Sequence, residues 1–326
     1  MGTTPSFLQA LAQAARFDGL WWRQFAYMGS VYGPDWWKRF SPPAFGAIFF
    51  VLIARNRRAA IANMQRVLGE PDAWRAARAA LRMFAQFANC MTETMEHFGP
   101  RPRPIELDGP GDDPVAECLR EGNGAVVVTG HVGNWDIAAK TLCEYERPIN
   151  IVMAREMNQT TQEYMREARE RAGVRVIYSD TSVLSSLNMI RALRQNEIVA
   201  IQLDRMMGSG GARMLPFFGA PAPFPSGPFV LARLARTFVV PVFIPRLGRR
   251  HYAIRVGTRV RLKREPRDNQ ALDAAMMEVV SQFEAIIREF PTQWFQFTPF
   301  WPAGTKAELQ SSSVTRSQGE KLRVGS

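Results

Sequence analysis

His131 and Asp136 stand with four residues between them, where a β-branched run gives way to a helix-compatible stretch. A carboxylate on one imidazole nitrogen fixes the tautomer, and the other nitrogen can then take a proton from a hydroxyl. The pair is a candidate general base aimed at an alcohol. Ala125–Val128 reads as a buried strand, Thr129 and Gly130 follow it, and Trp135–Tyr145 reads as the next helix. Asn134 falls where an N-cap belongs, and Asp136 in the first turn, where the helix dipole favours an acid. Backbone N–H groups near Gly133 and Asn134, or a nearby arginine, are candidates to hold an oxyanion. A plain strand-to-helix turn would use the same residue types. What favours chemistry is the position, at the carboxyl end of a buried strand, where open α/β sheets bind ligands.

Other residues fall on the same edge. Arg155 follows the strand Ile149–Met153. Its guanidinium could hold a phosphate or carboxylate, or simply pair with Glu156. Gln202, Asp204 and Arg205 end the strand that begins at Ile198. With Asn134 and Arg155 they form the expected substrate-binding set. Gly208–Arg213 matches neither the dinucleotide fingerprint nor a P-loop and reads as a mobile substrate loop. Pro216–Pro225 is apolar and proline-rich; it would line an acyl channel or turn a corner. Ser209 and Ser226 lack the nucleophile elbow of serine hydrolases, so a serine hydrolase is disfavoured. Three cysteines without C-x-x-C spacing and three histidines argue against a disulfide scaffold or a metal site. No cofactor is expected.

The elements around these residues alternate. Strands are expected at 149–153, 174–178, 198–203, 239–245 and 252–256, and helices at 75–97, 160–172, 183–194, 228–235 and 271–290. Residues 99–114 read as a linker, and 204–227 as a long loop. The class is α/β, a mostly parallel mixed sheet flanked by helices, with an N-terminal helical membrane-associating segment. Composition divides the chain into that segment (1–66), an α/β domain (67–302) and a disordered tail (303–326).

Residues 21–50 crowd aromatic side chains together, with Lys38, Arg39, Arg55, Arg57 and Arg58 around the apolar run Ala44–Ala54. That run is too short to span a bilayer, which needs about 20 residues. It suits the membrane interface, or a helical cap whose aromatics face their own core. No signal peptide is expected. The net charge of +11 points to an anionic partner. Between Arg233 and Arg267 the only acid is Glu265, which suggests an acidic carrier or a headgroup layer. Nucleic acid would also suit such charge, but no recognition signature is present.

The segment Gly130, His131, Val132, Gly133, Asn134, Trp135, Asp136 resembles the H-x4-D/E box of the glycerolipid acyltransferase superfamily. Asn134 and Trp135 make it similar to the late (lauroyl/myristoyl-type) lipid A acyltransferases and to the phosphatidylinositol mannoside acyltransferases. Residues 57–67, Arg155, Gln202–Arg205, Pro216–Gly219, Leu231 and Pro291–Trp294 follow in the family's order. Asp136 matches the mannoside type, since the lipid A enzymes usually carry Glu there. The resemblance implies a bacterial enzyme of the inner membrane's cytoplasmic face, peripheral or monotopic. It implies acyl transfer from an acyl carrier protein or acyl-CoA thioester to a hydroxyl of a lipid acceptor, such as a lipid A precursor or a phosphatidylinositol mannoside. A thioesterase or phospholipase on the same dyad, and a basic nucleic-acid-binding protein, are the rival readings.

Overall fold

The computed structural model describes residues 20–137, 142, 145–153, 173–179, 183–206, 211–262 and 269–302. Among the described residues four helices come first: α1 (Leu20–Tyr32), α2 (Asp35–Leu52), α3 (Ala54–Leu68) and α4 (Ala73–His97). The last carries alanines and larger apolar residues at three- and four-residue steps and buries Ala76, Ala80, Met83 and Phe84. Its N-cap is Asp72, which accepts the Trp74 N–H at 2.8 Å, a contact of the kind worth about 1 kcal/mol. Helix α3 runs through residue 66, where composition places the end of the N-terminal segment, and contributes Met64 and Ala60 to the same core as α4.

The α/β part follows. Its main strands are β2 (Ala125–Thr129), β3 (Ile149–Met153), β4 (Val174–Tyr178), β5 (Ile198–Gln202) and β8 (Phe238–Phe243). They lie in the order β8, β2, β5, β3, β4, all parallel. Two short strands, β11 (Arg255–Val256) and β12 (Val260–Arg261), pair antiparallel with β8. The central strands are near-continuous apolar runs because both faces are covered. Val126, Val128, Val199 and Ile201 face a core shared with α7 (Gly227–Ala235) and α8 (Asn269–Glu289). Ala125, Val127 and Ile198 face the core of α3 and α4. Helices α5 (Pro114–Arg120) and α6 (Val183–Arg194) also pack on the sheet, α5 through Val115 and Cys118 and α6 through Ala192 and Leu193.

Two segments differ from expectation. Within 99–114, Glu106–Asp108 forms β1, parallel to β10 (His251–Ala253), which also pairs with β9 (Arg246–Gly248). The proline-rich stretch is a hairpin, β6 (Ala212–Phe217) and β7 (Ala220–Pro225), closed by Phe218 and Gly219, both with positive φ. Its prolines are tolerated because each strand of a two-stranded ribbon has an edge with no ladder to interrupt. Phe217 and Phe224 are fully buried in the core. The expected helix at 160–172 and the tail at 303–326 lie outside the described residues.

Helices α1 and α2 leave Phe25, Met28, Tyr32, Trp36 and Phe40 exposed. By contrast Phe50 packs edge-on against Phe84 at 5.5 Å, on the inner side of α2. Among the described residues no helix is long and apolar enough to cross a membrane.

Candidate active site

Strands β2 and β5 are neighbours in register, Thr129 opposite Gln202. Their carboxyl ends therefore set His131 and Asp204 side by side, although 73 residues separate them. His131 Nδ1 lies 2.8 Å from Asp204 Oδ1. The His131 backbone N–H donates to Asp204 Oδ2 at 2.8 Å, and the indole N–H of Trp294 donates to the same oxygen at 3.0 Å. An ionised carboxylate only accepts, so the proton between ring and acid is on Nδ1 and Nε2 is the nitrogen left to act as base. Both side chains are buried, Asp204 at 2% exposure and His131 at 6%. Burial alone would raise the Asp204 pKa; the His131 charge and the three hydrogen bonds outweigh it and hold the carboxyl below its ordinary range. Trp135 stands edge-on to the imidazole, with centroids 4.7 Å apart.

Two glycines let the loop close this tightly. A Cβ on Gly130 would sit 2.4 Å from the buried Phe283 ring, and one on Gly133, at φ +62°, 2.0 Å from the Ile244 carbonyl oxygen. The loop is stitched on both sides. Gly133 N–H donates to Gln293 O, Asn134 N–H to Ile244 O, and Phe295 N–H to the His131 carbonyl.

Several expectations change. The carboxylate on Nδ1 is Asp204, not Asp136; a sheet neighbour reaches the ring that the next helical turn was expected to reach. Asp136 is half-buried in the first turn of the following helix. The N–H groups of Gly133 and Asn134, expected to hold an oxyanion, are already spent on backbone carbonyls. Asn134 does not line the edge and its side chain does not cap the helix. It is 3% exposed. Its amide donates to Cys90 O and Tyr252 Oη and accepts from Thr94 Oγ1. Gln202 ends β5 half-buried, and Arg205 is exposed beside Asp204. Arg155 lies outside the described residues. Trp294, fixed by the turn after α8, was legible only as part of a family motif, because nothing local marks an indole as a carboxylate's donor.

The basic run also reads differently in three dimensions. Arg246 pairs with Glu93 at 2.8 Å, Arg250 with Glu96 at 3.3 Å and Arg259 with Glu121 at 2.6 Å. Acids remote in sequence supply the partners that the run itself lacks. Among the described residues one cluster has metal-ligand spacing, Glu106, Asp108 and His251, on the β1–β10 ladder. There His251 Nε2 bonds Asp108 at 2.9 Å.

The profile described as bacterial lipid A biosynthesis acyltransferase matches residues 12–302. The chain belongs to that family. It is an acyltransferase of lipid metabolism. It is also similar to the phosphatidylinositol mannoside acyltransferase of Mycolicibacterium smegmatis, 26% identical over 257 residues, covering 76% of this chain and 81% of that one. The protein of the same name from Mycobacterium tuberculosis is 26% identical over 213 residues, 62% of this chain and 63% of its own. The family implies an acyl donor and a lipid acceptor for this acyltransferase.

Proposed function

We propose that this acyltransferase moves a fatty acyl chain from a thioester, on an acyl carrier protein or coenzyme A, to a hydroxyl of a bacterial glycolipid. The observation that carries the reading is the 2.8 Å contact between His131 Nδ1 and Asp204 at the carboxyl edge of β2 and β5. Nε2 takes the hydroxyl proton as the oxygen attacks the thioester carbonyl. The tetrahedral intermediate then expels the thiolate, which receives that proton from the imidazolium. The base is worth about 10²–10⁴ in rate. Asp204 holds the ring and offsets its charge, and Asp136 adds a second negative charge at the helix start. With the loop N–H groups engaged, stabilising the oxyanion falls to an arginine of the edge, Arg205 or Arg155. Gln202 contacts substrate from the end of β5.

Transfer is direct. Cys90 is buried, and burial followed by the charge of Glu93 pushes its thiol up to about 12, so it is no thiolate nucleophile. A lipid A precursor is the first acceptor to test, from the family profile. A phosphatidylinositol mannoside is the second, from the names of the relatives and from Asp136. The domain plan proposed is a helical segment, 1–66, set against the membrane, an acyltransferase domain, 67–302, and a tail. The exposed aromatics of α1 and α2 and the positive net charge support peripheral contact with an anionic bilayer, at the cytoplasmic face of the inner membrane.

The test is product analysis by mass spectrometry. Purified protein is given acyl carrier protein or coenzyme A thioesters, with and without each acceptor. Acceptor-dependent acylated lipid, absent with His131→Ala, supports the reading. Free fatty acid at the same rate with or without acceptor makes the protein a hydrolase.

A further inference from the structure

Behind the His131 loop runs a closed ring of polar contacts that begins and ends on adjacent residues of the box. Asn134 Nδ2 donates to Tyr252 Oη at 3.2 Å. The Tyr252 hydroxyl donates to Glu93 Oε2. Glu93 accepts from Arg246 Nη2 at 2.8 Å and from its Nε at 3.2 Å. The Arg246 backbone N–H donates to Gln293 Oε1 at 2.7 Å, and Gln293 Nε2 returns a bond to the Arg246 carbonyl at 2.8 Å. The Gln293 carbonyl accepts the Gly133 N–H at 3.0 Å, which closes the ring. Tyr252 has no exposed surface, and Glu93, Asn134 and Gln293 are each under a tenth exposed.

Stability alone is a poor account of such a ring. Buried charge pairs seldom beat apolar side chains of the same size, whereas a fully satisfied network fixes geometry. Here the fixed atoms are the backbone of Gly133 and the side chain of Asn134, two and three residues beyond His131. Tyr252 is the joint. Its hydroxyl bonds both Asn134 of the box and Glu93 of the Glu93–Arg246 pair, and it links helix α4 and the β9–β10 hairpin to the back of the loop. We infer that Tyr252 is a positioning residue of the acyl-transfer reaction, holding the His131 loop so that the imidazole stays seated on Asp204. The inference rests on the reading of His131 as the base.

The test has two arms. Tyr252→Phe removes only the hydroxyl. Mass-spectrometric hydrogen exchange on the full-length protein without substrate should show about tenfold faster exchange in peptides covering 130–136, with 125–129 unchanged. Unchanged exchange at 130–136 overturns the inference. In the second arm Tyr252→Phe is made in wild type and in Asp204→Asn. A displaced loop should lower kcat by about tenfold in wild type, with KM within about twofold. In Asp204→Asn, where the seat is already lost, the further fall should be under about twofold. Equal losses in both backgrounds, or none in wild type, overturn it. If Tyr252→Phe does not fold, Thr94→Val removes another bond to Asn134 and is read in the same way, with a smaller loss. Failure of the reaction reading is distinct: wild type would transfer no acyl chain while the exchange difference stood.

Discussion

The loop that carries His131 is held by a carboxylate on each side, and the two sides differ in what they hold. In front, Asp204 accepts three donors, one of them an imidazole that can give up or take a proton. Behind, Glu93 accepts from a guanidinium and a phenol. Burial, followed by the charges around it, raises the Tyr252 pKa, and Glu93 keeps Arg246 protonated against the cost of its burial. Neither of those donors exchanges a proton near neutral pH. The same device, a saturated buried carboxylate, is thus reactive on one side in the proposed mechanism and inert on the other. The donor's proton affinity decides which, and a sheet edge supplies the reactive one while a helix supplies the inert one.

Substitutions on the two sides should separate by what they damage. His131→Ala should cost about 10³-fold or more in kcat, and because the residue-131 backbone N–H and the Trp294 indole still bond Asp204 it should lose less stability than the change on the other side, measured by acyl-transfer kinetics and calorimetry. On the other side, Arg246→Met leaves Glu93 buried without its cation. That should cost about 3–5 kcal/mol of stability, read by denaturant unfolding. Equal stability losses from the two variants would erase the distinction. A surface change should touch neither side. Trp36→Ser with Phe40→Ser should weaken sedimentation with anionic vesicles and leave kcat on a detergent-dispersed acceptor within about twofold, because both rings are exposed on α2. Unchanged vesicle binding would assign these rings another role. The smallest effect is in acid. Since the Asp204 pKa is lowered in the folded state, its contribution to stability is complete above the ordinary carboxylate range and is lost as pH falls through and below it. Asp204→Asn should therefore show a shallower loss of stability below about pH 4 than wild type.

Much of this was legible along the chain, because it rests on local pattern. The parallel strands announce themselves as apolar runs, and the His131 box sits at the end of one of them. The partner of His131 was not legible, although Asp204 already stood among the edge residues. Proximity in sequence favours Asp136, five positions on, whereas proximity in the sheet depends on β5 returning to lie against β2. The hairpin at 212–225 was hidden because proline signals a break, and only its two-stranded form makes proline harmless. Asn134 looked like a cap by its place before a helix. Its amide instead faces Cys90 and Tyr252, which no local pattern specifies. The interfacial reading of residues 21–50 also divides: Trp36 and Phe40 are open, while Phe50 is turned onto Phe84.

In the proposed mechanism Asp204 sets the tautomer of His131, with the proton on Nδ1 and Nε2 left as base. Nitrogen-15 spectra of histidine-labelled protein read this directly, and with three histidines in the chain the His131 signal is assigned by comparison with His131→Ala. In neutral wild type, His131 should show a protonated Nδ1 and an unprotonated Nε2. Asp204→Asn should abolish that preference, because an amide can offer its own N–H to Nδ1 and favour the wrong tautomer. Asp136→Asn should preserve it. A tautomer that survives Asp204→Asn and collapses with Asp136→Asn would overturn this assignment and return the ring to the acid of its own box.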